Sequence, residues 1–253
     1  MIEALMSDYI QTQFQINMAE IYTALPCIVT NVFGTFEEMR VDVQPSINTL
    51  YKDGASEEHS QILGVPVILP GSSTSLVSFP INVGDTVLCI FSQRGMDNFK
   101  IGSGQPTVPT DYRKFSDQDA VAIPGLFSFS KSVNRPSIRK FPHNPKTDLV
   151  IAHNIASGTE VMIQFKQDGT MIVNTEQSVI VNCKDGEMNA TSSYIINTPQ
   201  LKINASQTTW TGNITHSGNY TMTGNATFNG ILFDTHVHSG VTPGNGTTGP
   251  VAG

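Results

Sequence analysis

Apolar residues recur along this chain at two different spacings. Near the start, Ile2, Leu5, Met6, Tyr9 and Ile10 follow one another at helical intervals, with Gln13 on the same side. That spacing predicts a helical segment over 1–22 whose apolar side packs on the core, with a partner-binding side as the alternative. From about Leu25 the period falls to two, the signature of a strand with one buried face. Cys27–Phe33, Arg40–Pro45, Ile62–Leu69 and Val83–Phe91 read this way, with Gly84-Asp85 as a turn opening the last. A further strand is expected through Phe99-Lys100-Ile101. Four or five short strands in about 85 residues fit a small closed or half-closed barrel of the OB type over 23–110, with a sandwich as the alternative.

Residues 111–157 break the pattern. Pro124, Pro136, Pro142 and Pro145 punctuate them, with Pro106 and Pro109 just ahead. Proline removes a backbone donor and restricts the residue before it, so a connector without regular elements is expected. Its basic cluster, Lys131, Arg135, Arg139 and Lys140, is read as a salt-bridged joint or a solvated face rather than a phosphate site.

Alternation returns over 158–233. Val161, Ile163 and Phe165 should share one face, Asp168-Gly169 should turn into Thr170–Thr175, and Ser178–Cys183 repeats the theme. Later segments shorten (Tyr194–Asn197, Leu201–Asn204, Thr208–Gly212, Asn219–Gly224, Ala226–Gly230) and recur without a strict period. Strands this short give one chain a thin apolar stripe and no second layer to cover it. Three copies wound about one axis supply that layer and turn each open strand edge into an intermolecular ladder. The expectation is an all-β protein: an OB-fold-like barrel, then an intertwined trimeric β-helix, then a metal-capped C-terminal tip over 234–253.

Composition narrows the functions. Charged residues make up only 14% and the net charge is -7, which speaks against a nucleic-acid binder. After Lys202 the only acidic or basic residue, histidines aside, is Asp234. Such neutrality is either the habit of an Asn/Thr-rich fibre or suits an end that enters a low-dielectric layer. The three cysteines, Cys27, Cys89 and Cys183, sit among apolar strand-like neighbours and are expected to be buried thiols. Glu3 and Asp8 stand where a signal peptide would be basic, so no signal peptide is expected. The Asn-X-Ser/Thr triplets at Asn189, Asn204, Asn213, Asn219, Asn225 and Asn245 are accordingly read as by-products of composition.

The candidate chemistry lies near the C-terminal end. His236 and His238 are two apart and face the same way if extended. Two imidazoles make an incomplete metal site. Three chains on a common axis bring six nitrogens, an octahedral and closed site that is structural rather than Lewis-acidic. Such a site suits Fe²⁺, Co²⁺ or Ni²⁺ better than tetrahedral Zn²⁺, and two chance histidines are the plain alternative. Asp234 shares their parity and is read as a solvated or hydrogen-bonded carboxylate, a further ion beside it being the other option. His59, His143, His153 and His216 lack paired spacing and are read as surface or joint residues.

The stretch from Asp234-Thr235-His236-Val237-His238-Ser239-Gly240 to Gly249-Pro250 resembles the apex of the central spike proteins of contractile-tailed bacteriophages. Val65-Pro66-Val67, Pro80–Leu88 and Phe91–Gly95 resemble the OB-type N-terminal domain of that family, and Phe115–Gly125 is similar to its connector. The resemblance implies a non-enzymatic, membrane-piercing homotrimer at the tip of the virion's tail baseplate, made in the host cytoplasm. Its N-terminal half would dock on the baseplate or tail-tube hub, and the host outer membrane would be its target. It implies one iron per trimer held by His236 and His238 on the threefold axis, with room for other ions in the tip. The connector is too short for the lysozyme domain that some such spikes carry. A trimeric receptor-binding tail fibre or adhesin is one rival, though it should end in a wider head. A metal-dependent hydrolase is another, but it needs further ligands, and Ser239-Gly240 supplies none.

Overall fold

The computed structural model describes residues 2–19, 21–34, 38–133, 135–233, 240 and 244. The chain divides into two compact units, Met1–Cys183 and Lys184–Gly253.

The first unit opens with helix α1, Ile2–Ala19. Strands β1 (Ala24–Gly34) and β2 (Met39–Pro45) then form an antiparallel pair whose register shifts between Val29 and Asn31. A small hairpin of β3 (Thr49–Leu50) and β4 (Ser56–Glu57) leads to β5 (Ile62–Pro66), and β6 (Thr86–Phe91) returns to pair with β1. After a short helix α2 (Asp97–Ile101), β7 (Ala120–Pro124) pairs with β6. The sheet order is β5-β2-β1-β6-β7. Its edges approach each other: Val67, just past β5, bridges Ala122 of β7 in parallel, and the Ile68 N–H donates to the Ala122 carbonyl at 2.9 Å. The sheet is therefore curled into a half-barrel.

Alternation makes that curl possible. Cys27 and Val29, Val41 and Val43, Val87 and Cys89 are every second residue of their strands, and all are buried in one core. Gly64, at φ +65, sits where the pairing of β5 with β2 shifts, and its N–H donates to Asp42 Oδ1 at 2.9 Å. The Gly84-Asp85 turn forms as the sequence predicts, with Gly84 at φ +95 and the Asn82 N–H donating to Asp85 at 2.7 Å.

Two expectations need correction. Phe99–Ile101 is not a strand but the end of α2, with Asp97 in its first turn receiving bonds from Thr110 and Arg113. The connector over 111–157 is not without regular elements either. It supplies β7, where Pro124 falls at the strand's last residue and interrupts no ladder beyond it. It also supplies β8, Leu149–His153, which lies clear of the prolines.

Strand β8 belongs to a second antiparallel sheet, order β10-β9-β8, with β9 at Val161–Phe165 and β10 at Met171–Asn174. The expected turn at Asp168-Gly169 joins β9 to β10, with Gly169 at φ +85 and the Thr170 N–H donating to Asp168 Oδ1 at 2.9 Å. In the second unit, the strands among the described residues are β11 (Thr227–Phe228) and β12 (Ile231–Leu232), a short hairpin.

Candidate functional site

Two buried ion pairs brace the first unit. Asp119 is fully buried and receives Arg113 Nε at 2.7 Å, Arg113 Nη2 at 3.0 Å and the Met96 N–H at 2.8 Å. Burial alone would raise the Asp119 pKa; the Arg113 and Met96 hydrogen bonds outweigh it and hold the carboxyl below its ordinary range. Arg113 also reaches Asp97 at 2.6 Å and Asp111 at 2.7 Å, so one guanidinium joins α2 to the residues that lead into β7.

The second pair lies beside the three-stranded sheet. Arg139 Nε donates to Glu160 Oε1 at 2.8 Å, and Glu160 Oε2 accepts the N–H groups of Lys140 at 3.1 Å and Ala156 at 3.0 Å. Here too burial opposes ionisation, and the bonds from Arg139 and the two N–H groups keep the carboxyl below its usual range. Lys140 pairs with Glu176, and Arg135 donates to the carbonyls of Phe129 and Ser130. Of the expected cluster, Arg139 and Lys140 thus form a salt-bridged joint, Arg135 binds its own loop, and Lys131 is exposed.

Three surfaces carry uncovered apolar side chains. The first is α1: every side chain from Met6 to Met18 is exposed, with Met6, Ile10, Phe14 and Met18 in a row four residues apart. The expectation that this helix packs on the core is corrected, because the half-barrel core is filled from its strands and their flanking segments.

The second surface is one face of the β10-β9-β8 sheet. Val161, Ile163 and Phe165 share it, as the alternation predicted, and the register sets Leu149 and Met171 beside Phe165 and Ile151 and Val173 beside Ile163. Leu149, Ile151 and Met171 are more than 60% exposed. The opposite face holds buried Met162 and Gln164, braced by the Arg139 pair and by a 2.6 Å bond from Gln164 to Asp148. One face is therefore closed and the other bare.

The third is the run from Glu176 to Asn225, in which every residue is exposed. It includes Val179, Ile180, Val181, Ile195, Ile196 and Trp210. Cys183 lies in it and is exposed, which corrects the expectation of a buried thiol: one chain offers no second layer there. Cys27 and Cys89 are buried as expected, and the Cys89 thiol is pushed up by its hydrogen bond with Cys27 and by burial.

Part of this run has a stricter order than the approximate repetition expected of it. Gly212, Gly218 and Gly224 stand six residues apart with φ of +114, +121 and +114, and Gly230, six further on, has φ +81. Each of the first three opens a Gly-Asn-X-Thr unit. Positive φ is the conformation that favours glycine, so the period is written in backbone as well as in letters. Asp234, His236 and His238 lie outside the described residues.

Residues 25–125 match the phage protein Gp138 N-terminal domain, and residues 230–250 match the GpV Apex motif. Both are phage families, and together with the half-barrel they fit a structural phage protein. A Gp138 N-terminal domain and an Apex motif in one chain support, more narrowly, a phage baseplate spike protein, as the resemblance of both ends implied. No curated protein matches the chain significantly.

Proposed function

We propose that this chain is the non-catalytic, homotrimeric, membrane-piercing spike at the tip of a contractile phage tail. The observation that carries the reading is the apolar surface left bare by one chain: a complete sheet face over β8 to β10, then the exposed run from Glu176 to Asn225. Apolar surface left uncovered in this way marks an interaction site. Three copies around an axis would cover each bare face with two others and pair the open strand edges, giving the intertwined β-helix over 158–233.

The N-terminal half is the end held by the baseplate or tail-tube hub. The half-barrel is read as an OB-type barrel, supported by its five-strand order and the parallel bridge of Val67 to Ala122. At the other end, His236 and His238 of three chains would hold one metal ion, iron by the family resemblance. Six neutral imidazole nitrogens suit an octahedral first-row ion. The ion supplies a cross-link among three chain ends, where order is normally weakest. A neutral Asn/Thr surface lowers the cost of entering a host membrane. The test is the solution mass of the full chain together with its metal content: a trimer whose apex contributes one metal supports the reading, and a folded single chain overturns it.

A further inference from the structure

The glycine period sorts the residues between the glycines. In each six-residue unit the second, fourth and sixth positions are polar, as in Asn213, Thr215 and Ser217. The third and fifth carry Ile214 and His216, then Tyr220 and Met222, then Ala226 and Phe228. Positions two apart share a face of extended backbone. In a trimer these two rows are the ones that turn inward, and the positive-φ glycines are the corners between successive faces. The fifth-position row then reads His216, Met222, Phe228, with Trp210 one unit earlier. One imidazole stands in an otherwise apolar inner row.

That imidazole is already oriented within its own chain. His216 Nε2 lies 3.2 Å from the Asn219 carbonyl oxygen, and its ring meets Tyr220 edge-on with centroids 6.0 Å apart. A carbonyl only accepts, so Nε2 carries the proton and Nδ1 keeps its lone pair. Metal-binding histidines are held in this way, the second ring nitrogen donating to a carbonyl that sets tautomer and ring angle. Met222 and Phe228 bring no hydrogen-bond donor to the row and Trp210 brings one indole N–H from the unit before, whereas a shared cation satisfies three Nδ1 lone pairs together.

We propose that His216 from three copies of this chain forms a second metal centre on the threefold axis, twenty residues ahead of His236. It takes a divalent first-row ion through three Nδ1 atoms, with water on the open side, and so differs from the closed six-nitrogen apex. The proposal rests on the trimeric reading above.

The test measures metal per trimer by elemental analysis and native mass spectrometry on the full-length protein grown with added Zn²⁺, Co²⁺ or Ni²⁺. A His236→Ala, His238→Ala double variant should keep about one metal per trimer. His216→Leu, which matches its row neighbours and preserves the apolar core, should remove one metal from the otherwise native protein, and the triple variant should hold none. A trimeric double variant that holds no metal overturns the His216 centre and leaves the spike reading standing. A monomeric native protein overturns both.

Discussion

Arg139 and Glu160 meet at 2.8 Å with 4% and 0% of their side chains exposed, which makes them the most deeply placed ion pair among the described residues. They clamp the closed face of the β10-β9-β8 sheet to the segment that precedes it, and so fix which face is left bare. Removing one partner of a buried pair strands the other charge in the interior and costs about 3–5 kcal/mol. Arg139→Ala should therefore lower unfolding stability by that order. Lys140→Ala, whose pair with Glu176 is largely exposed, should cost about 0–1 kcal/mol. Chemical denaturation of the two variants side by side checks the ranking; equal costs would contradict it.

Acid should act through the same carboxylates. Glu160 and Asp119 both ionise more readily in the folded protein than in the unfolded chain. A depressed folded pKa gives stability that is complete above the unfolded value, about 4, and is lost as pH falls through the folded value. The melting temperature should accordingly change little from neutral pH to about 5 and fall steeply below about 4. Glu160→Gln should start lower and show a shallower fall. A variant slope as steep as the native one would remove Glu160 from the explanation.

The bare sheet face should touch other copies. In a Cys183→Ser background, Ile163→Cys on that face should join neighbouring chains through a short bismaleimide, while Ala152→Cys on the closed face should not. Linkage at position 152 alone would mean that the sheet faces the opposite way in the assembly.

Under the proposed function, the exposed side of helix α1 is the surface offered to the hub. The segment 1–22 carries Glu3, Asp8 and Glu20 and no lysine or arginine, so a partner with an apolar groove and a basic rim fits it better than two further copies of the same acidic helix. Ile10→Asp with Phe14→Asp should leave the trimer intact and abolish incorporation into assembled baseplates. Loss of the trimer in that variant would instead place α1 among its own copies.

At the apex, His236→Ala with His238→Ala should release one metal per trimer without dissociating the chains. Obligate interfaces bury about 2,000–5,000 Å², far more than one coordination sphere contributes. A monomeric double variant, read by native mass spectrometry, would reverse that ranking.

The strands were readable because a half-buried sheet forces period two: Cys27, Val29, Val41, Val43, Val87 and Cys89 announce themselves by alternation. The turn at Asp168-Gly169 was readable because few residue pairs suit it. β7 was hidden, since Ala120-Val121-Ala122 is short and closes on a proline. The short α2 was hidden too, held by Arg113 and Asp119, partners distant in sequence whose bonds no local pattern records. α1 was legible as a helix, but its uncovered side was not, because periodicity says which residues share a face and nothing about what meets it. The six-residue period is weak in hydrophobic spacing, because its third and fifth positions vary from Ala226 to Tyr220, and is plain in the positive φ of its glycines.

The central claim is that the C-terminal half acquires an interior only when three chains share it. Multi-angle light scattering on the purified full-length protein tests this most directly. The account predicts a single species of about 82 kDa, three times the 27.4 kDa chain. A stable, folded species at 27.4 kDa would contradict it.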